Sequence, residues 1–366
     1  MKIGVLKAYE GSLVALVPSI AAKMAKEGYE FIMEKGAGTN AFFTDGDYEA
    51  EGVRVADRET VFREGQLILA DTKIPESEFP MISSGTIVVG RFNPLVEKAY
   101  CEKLEKAPFT VFSLDTVPRS SIAQSMDILS SLASLSGYMA VLSAANRFPG
   151  YFPMMTTAAG TVPPAKVMVV GAGVAGLQAI ATARRLGAVV EAFDVRTAVK
   201  EEVQSLGARF IEVEGSTEDK GAGGYAVEQS EAYISRQKEL IHERASKSDV
   251  IITTANIPGR KAPLLIEQAT VAAMRPGSVI IDMAAVSGGN CALSKDQQEV
   301  DVNGVRIIGN SALFQQLPRE ASRLYSTNLY HFLKFILKDG IENMPFTHEI
   351  VQKTLIGELK AIKVAS

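Results

Sequence analysis

Tryptophan is absent from the 366-residue chain, and cysteine and histidine are scarce. The two cysteines, Cys101 and Cys291, stand alone, in no CxxC or Cys/His cluster. That spacing excludes a disulfide framework and a zinc site, and it fits a reducing compartment. His242, His331 and His348 are scattered through helix-like or near-terminal stretches and read as structural. No run of 18 or more apolar residues marks a transmembrane helix; the longest candidate, Ile128 to Ala145, is broken by serines, Gly137 and Tyr138 and reads as a buried helix. The N-terminus, MKIGVLKAYEG, lacks the apolar core of a signal peptide and reads as a first strand. A soluble chain able to dock on a membrane protein is expected. The formal net charge of -4 gives no reason to expect nucleic acid as a partner. There is no internal repeat and no low-complexity region.

What the chain does have is alternation. Strand candidates are Lys2–Leu6, Phe31–Met33, Leu67–Ala70, Thr86–Val89 and Thr110–Ser113, with helices over Pro18–Glu27 and Pro94–Lys106. After Asp115 a long helical stretch is expected, with Ser121 and Gln124 spaced as a capping box. The segment from Tyr151 to Ala165 reads as a junction. Later strands are Ala208–Val213, Val250–Thr254, Val279–Asp282 and Val305–Ile308, and a final helix covers about Pro318–Lys338. The pattern predicts an α/β fold of two doubly wound Rossmann-like domains with a cleft between them, linked by long helices. The expected domains are 1–130 plus 314–366, and 131–313.

The sharpest motif is GAGVAG at Gly171–Gly176. An apolar run, Val167 to Val170, precedes it; a helical stretch and a second apolar run, Ala188 to Phe193, follow and end on Asp194. Strand, glycine turn, helix, strand and acid in that order are what a dinucleotide-binding βαβ unit requires. Gly171 permits the tight turn, Gly173 lets a pyrophosphate approach the backbone, and Gly176 lets helix and strand pack. The helix N-terminus offers N–H groups to phosphate. Asp194 suits the ribose hydroxyls of NAD, whereas Arg196 suits a 2′-phosphate; the acid favours NAD. The polar, glycine-rich stretch Glu214 to Tyr225 is either a surface loop or a lid over bound cofactor.

These segments resemble a known family. AQSMDILSS at Ala123–Ser131, Met155–Ala188 around the glycine turn, IPGRKAP at Ile257–Pro263, PGSVIIDMA at Pro276–Ala284, GGNC at Gly288–Cys291 and LPREASRLYSTNL at Leu317–Leu329 are similar to the NAD(H)-binding component of proton-translocating nicotinamide nucleotide transhydrogenase. That family is related to alanine dehydrogenase. The resemblance implies direct hydride transfer between NADH on this chain and NADP⁺ on a partner subunit, coupled to proton movement through a separate membrane subunit. It further implies a homodimer, peripheral on the cytoplasmic face of the inner membrane.

By the same resemblance, Arg119, Gln124, Asp127 and Ser130 position the nicotinamide. The residues are consistent with this, since Gln124, Asp127 and Ser130 fall three apart on a helix and Arg119 can pair with Asp127. The plainer reading makes Gln124 a cap and Arg119–Asp127 an ion pair between domains. Gly171, Gly173, Val174 and Gly176 match the pyrophosphate turn, and Asp194, Val195 and Arg196 match the adenosine end. Tyr225 matches the loop tyrosine that folds over nucleotide, and Ala255 and Asn256 match the strand end beside the cofactor. Tyr138 matches a family tyrosine and reads as structural.

The alternative is a self-contained NAD-dependent dehydrogenase of the alanine dehydrogenase type. Those enzymes carry an arginine where Leu13 stands in LVALVP, with a lysine that Lys73 can match and a histidine where the chain reads GRFNPL, with Asn93. A substrate carboxylate anchor and a proton-transfer group are both missing from these positions. A third reading is a regulatory module that binds nucleotide without transferring hydride.

Overall fold

The computed structural model describes residues 1–213 and 230–360. The strands, in chain order, are β1 (Lys2–Val5), β2 (Glu30–Glu34), β3 (Arg54–Ala56), β4 (Leu67–Ala70), β5 (Ile87–Gly90), β6 (Thr110–Ser113), β7 (Met155–Thr157), β8 (Gly160–Val162), β9 (Lys166–Val170), β10 (Val189–Phe193), β11 (Arg209–Ile211), β12 (Val250–Thr253), β13 (Val279–Asp282), β14 (Gln298–Val302), β15 (Val305–Gly309) and β16 (Leu355–Ile356). The chain divides into two compact units, Met1–Leu132 with Gln315–Ser366, and Ala133–Phe314.

In the first unit the sheet runs β16-β6-β5-β4-β1-β2-β3, parallel except for β16 on β6. Without that edge strand the order is the doubly wound 3-2-1-4-5-6. Strands β4, β5 and β6 are buried at every residue, which is why β4 and β5 read as short apolar runs rather than alternations. Helix Pro18–Ala25 starts on a proline, whose missing N–H loses nothing at a helix start. The long helix Pro318–Ile336 is tied to the segment before it by two hydroxyls, Ser322 Oγ accepting from Val14 N at 3.0 Å and Ser326 Oγ from Val17 N at 3.1 Å.

The second unit repeats the plan as β11-β10-β9-β12-β13-β15-β14, with only β14 antiparallel. Successive residues of a strand face opposite sides. Val167 and Val169 therefore join one core layer with Ile252 and Ile281, while Met168 and Val170 join another with Ile251 and Ile280. Each such aliphatic side chain contributes roughly 2 kcal/mol by leaving water.

The doubly wound α/β fold expected from the alternation is what the chain adopts, with four local differences. Short β3, β14 and β16 carry too few apolar residues to stand out. The 151–165 junction contains a hairpin, β7–β8, whose six residues are all exposed. The helix expected from Pro94 begins at Lys98, because Asn93 has a φ of 51° and turns the chain first. The helix expected soon after Asp115 begins at Ile128, after a short 3-10 turn at Gln124–Met126. By length and mean hydropathy (1.5) this helix, Ile128–Arg147, passes as a membrane span; its Ala140, Val141 and Ala144 are packed in the second unit's core.

Candidate functional site

The glycine turn lies at the topological switch point of the second sheet, where β9 is flanked by β10 and β12 and strand order reverses. Gly171 leaves β9 with a φ of 99°, a left-handed conformation that side chains resist. Its carbonyl accepts from Thr254 Oγ1 at 2.9 Å, and Thr254 N donates to Val170 O at 2.8 Å. Thr254 thus fastens the turn to the end of β12. A Cβ on Gly176 would stand 1.8 Å from Gly171 O, so helix Val174–Arg185 can seat on β9 only with glycine there. A Cβ on Gly173, in contrast, would meet nothing within 4 Å.

Gly173 is also the N-cap of that helix and brings no capping side chain. The first N–H groups of a helix have no partner within it, and here they lie next to Gly173 at the positive end of the helix dipole. The chemistry of this cradle suits a pyrophosphate, with backbone donors for its anionic oxygens and open space where a Gly173 side chain would stand. Val174 is exposed at the same end.

Asp194 follows β10 and is nearly buried. Its Oδ2 accepts from Ala172 N at 2.7 Å and from Arg196 Nη2 at 2.8 Å; Oδ1 accepts from Arg196 N and Arg196 Nε, each at 2.9 Å. The acid expected to take ribose hydroxyls therefore also braces the glycine turn. Arg196, bonded to that carboxylate, titrates above the ordinary guanidinium range. Val195 between them is half-buried.

Ala255 and Asn256 continue from β12, the second of them exposed. Their position is set by Asn290 of the GGNC segment, whose Nδ2 donates to Ala255 O and to Pro263 O, each at 2.8 Å. Asp282, fully buried at the end of β13, holds that segment in turn. It accepts from Thr253 Oγ1, Ala284 N and Cys291 N, each at 3.0 Å, and from Ser294 Oγ at 2.5 Å. Sequence reasoning singles out none of Thr254, Asp282 and Asn290; only the last two fall inside the distinctive segments.

In the first unit, Gln124, Asp127 and Ser130 do not share one helix face. Asp127 is extended after the 3-10 turn and caps the helix that follows: Oδ1 accepts from Ser130 N at 2.9 Å and Oδ2 from Ser130 Oγ at 2.6 Å. An aspartate accepting from the third residue of a helix is a strong N-cap, and it prevails over the expected box at Ser121 and Gln124. Gln124 and Arg119 are exposed. The turn bearing Gln124 is pinned from helix Pro318–Ile336 by Asn328 Nδ2, which donates to Ser125 O at 2.8 Å. Tyr225 lies outside the described residues, as does the whole Glu214–Tyr225 stretch.

The alanine dehydrogenase positions are differently employed. Leu13 is buried, Lys73 pairs with Glu97 at 2.7 Å, and Asn93 donates its backbone N–H to Asp115 Oδ2 at 2.6 Å. Two of the histidines hold local structure: His242 Nδ1 bonds Thr270 Oγ1 at 2.9 Å, and His348 Nδ1 accepts from Ile350 N at 3.2 Å as a helix cap. Burial raises both cysteine thiols to about 11, far from a nucleophile's range.

Residues 7–136 match the family model described as alanine dehydrogenase/PNT, N-terminal domain, and residues 140–362 match the corresponding C-terminal domain. The chain belongs to the alanine dehydrogenase/PNT family. Within it, the chain is 44% identical over 328 residues to an NAD(P) transhydrogenase alpha-subunit protein of Rhodospirillum rubrum, covering 87% of this chain and 85% of that protein. It is 40% identical to the protein of the same name from Rickettsia prowazekii, covering 93% and 90%. The crystal structure of transhydrogenase from Sinorhizobium meliloti superposes with a TM-score of 0.89 at 38% identity, over 100% of both chains. Alanine dehydrogenase of Mycolicibacterium smegmatis is more distant, 27% identical over 75% of this chain and 70% of that one. Within this family the chain lies far closer to the transhydrogenase alpha subunits.

Proposed function

We propose that this chain is the NAD(H)-binding subunit of a proton-translocating transhydrogenase, an oxidoreductase that passes hydride directly between NADH held here and NADP⁺ held on a partner subunit. The observation that carries the reading is the cradle at Gly171–Gly176: a helix start without a side-chain cap and open at Gly173, braced by Thr254 and Asp194. The backbone N–H groups there would hold the pyrophosphate. Asp194 would hold the adenosine ribose, with Val195 and Arg196 flanking that subsite, and Ala255 and Asn256 would border the cofactor at the end of β12.

The nicotinamide supplies the hydride chemistry when bound. The chain's own residues orient it. The Gln124 amide can bond the carboxamide, with Arg119, Asp127 and Ser130 beside it, and Tyr225 is assigned to closing over the nucleotide. No protein acid or base is required, because hydride passes from carbon to carbon; alignment of the two rings is the protein's contribution. Leu13, the Lys73–Glu97 pair and Asn93 leave no carboxylate anchor or proton-transfer histidine at the alanine dehydrogenase positions, which speaks against the amino-acid dehydrogenase reading.

The partners proposed with this reading are an NADP(H)-binding subunit, a membrane subunit that conducts protons and a second copy of this chain. The site of action is the cytoplasmic face of the inner membrane. The test mixes the purified chain with NADPH and an oxidised NAD analogue whose reduced form absorbs separately, with and without an NADP(H)-binding subunit, and in parallel with alanine and NAD. Reduction of the analogue only with the partner present is expected. Turnover of alanine without a partner would move the chain to the dehydrogenases.

A further inference from the structure

The four hydrogen bonds to Asp194 have unequal permanence. An ionised carboxylate offers about four lone-pair positions, and here each is taken by the chain itself. Two donors are backbone N–H groups, of Ala172 and Arg196, fixed by the strand ends. The other two are Arg196 Nε on Oδ1 and Nη2 on Oδ2, a planar fork at the end of a rotatable side chain. The Asp194 side chain is only 6% exposed beneath it, against 25% for Arg196. A vicinal diol presents the same pattern, two donors side by side toward two oxygens. While the fork is in place, no acceptor on Asp194 is left for it.

We propose that Arg196 is a latch on the adenosine ribose subsite: its guanidinium occupies the seat on Asp194 that the 2′- and 3′-hydroxyls of bound NAD(H) take, and it swings out as they arrive. This rests on the NAD(H) reading above. Simple electrostatics predicts the opposite sign, since deleting a cation beside an anionic nucleotide weakens binding. The latch also accounts for the pairing of Asp194 with an arginine at a site built for NAD. A guanidinium neutralised by its own carboxylate is a poor receptor for a 2′-phosphate, and releasing it would bare an anion next to that phosphate.

The experiment titrates NADH, 5′-AMP, 2′,3′-dideoxy-AMP and adenosine 2′,5′-bisphosphate calorimetrically onto the full chain and onto Arg196→Ala and Arg196→Met, the second keeping the aliphatic stem. Both variants are expected to bind 5′-AMP about tenfold tighter, equivalent to about 1.4 kcal/mol. They are expected to gain nothing on the dideoxy nucleotide or on the bisphosphate, whose 2′-phosphate meets an uncompensated Asp194 in both variants. In the unmodified chain, the ¹⁵Nε resonance of Arg196 is expected to leave its carboxylate-paired position when 5′-AMP saturates and to stay there with dideoxy-AMP, a readout that depends on no variant folding. Unchanged or weaker 5′-AMP binding in both variants, or a stationary Nε signal at saturation, overturns the latch while leaving NAD(H) binding intact. Failure of the unmodified chain to bind either NADH or 5′-AMP overturns the NAD(H) reading, and the latch with it.

Discussion

Gly137, midway along helix Ile128–Arg147, lies against the backbone of Ala175: a Cβ at 137 would stand 2.1 Å from the Ala175 carbonyl oxygen. Ala175 is in the first turn of the helix that follows the glycine turn. The missing side chain at 137 therefore helps set where that helix begins. Alanine normally gains about 1 kcal/mol over glycine inside a helix. Here the neighbour is backbone, which cannot rotate away, and overpacking of that kind costs about 1–3 kcal/mol. Gly137→Ala should therefore lower the urea midpoint and weaken NADH binding together; a variant at least as stable as the parent, with unchanged binding, would show that the contact is not tight in solution.

Gln124 and Asp127 separate into different roles. Asp127→Ala removes an N-cap, which costs about 1 kcal/mol, and should depress the melting temperature as well as transfer. Gln124 is exposed, so Gln124→Ala should leave the melting temperature unchanged yet slow transfer to NADP⁺, on the order of tenfold to a hundredfold, through lost ring alignment. The pairing is checked by calorimetric melts beside single-turnover transfer with the partner subunit. Equal losses of transfer rate and NADH affinity in Gln124→Ala would argue against alignment.

Asp282 accepts four hydrogen bonds at full burial. Asp282→Ala strands two N–H groups and two hydroxyls, each worth about 1–3 kcal/mol when buried without a partner. Its unfolding free energy, from urea titration, should fall by at least ~3 kcal/mol. Asp282→Asn should fall less, because the Ser294 hydroxyl can accept from the new amide whereas the Cys291 N–H loses its acceptor. Equal losses in the two variants would contradict that division.

Burial raises the Asp115 carboxyl above its ordinary range, against bonds from the Ser113 hydroxyl and the Asn93 N–H and the nearby Arg91 cation, all of which pull it down. A carboxyl whose folded pKa exceeds its unfolded value adds stability that is whole below the unfolded value, about 3.9, and is lost as pH rises through the folded one. Asp115→Asn can keep both bonds, its amide donating to Ser113 and its oxygen accepting from Asn93. The variant should therefore gain stability relative to the parent as pH rises from about 4 to 8, measured by urea midpoints at both ends. A difference that shrinks with rising pH would reverse the sign assigned to burial.

Much of this is legible in the chain. The strands buried on both faces announce themselves as largely apolar runs, because a polar group between two helix layers must find an internal partner, as Asp282 does at the end of β13. GAGVAG announces itself because Gly171 answers a left-handed turn, Gly176 a close helix–strand contact, and Gly173 leaves the helix start uncovered. β14 carries a weaker signal: Asn303–Gly304, both at positive φ, is a hairpin turn between it and β15. The cap at Asp127 is hidden by Ser121 and Gln124, which have the right spacing for a capping box; spacing alone does not say which of two candidate caps the chain will use.

The sequence by itself determined the two doubly wound folds, the glycine turn and the residues at each strand end, since periodicity, glycine placement and strand–helix order are local quantities. Only the tertiary structure decided which partners those residues meet. That Thr254 fastens Gly171, that Asn328 pins the turn bearing Gln124, and that Arg196 already fills Asp194 depend on side-chain rotamers and on the close approach of strand ends. Hydrogen bonds are short and directional, and one chemical formula admits several pairings until packing selects among them.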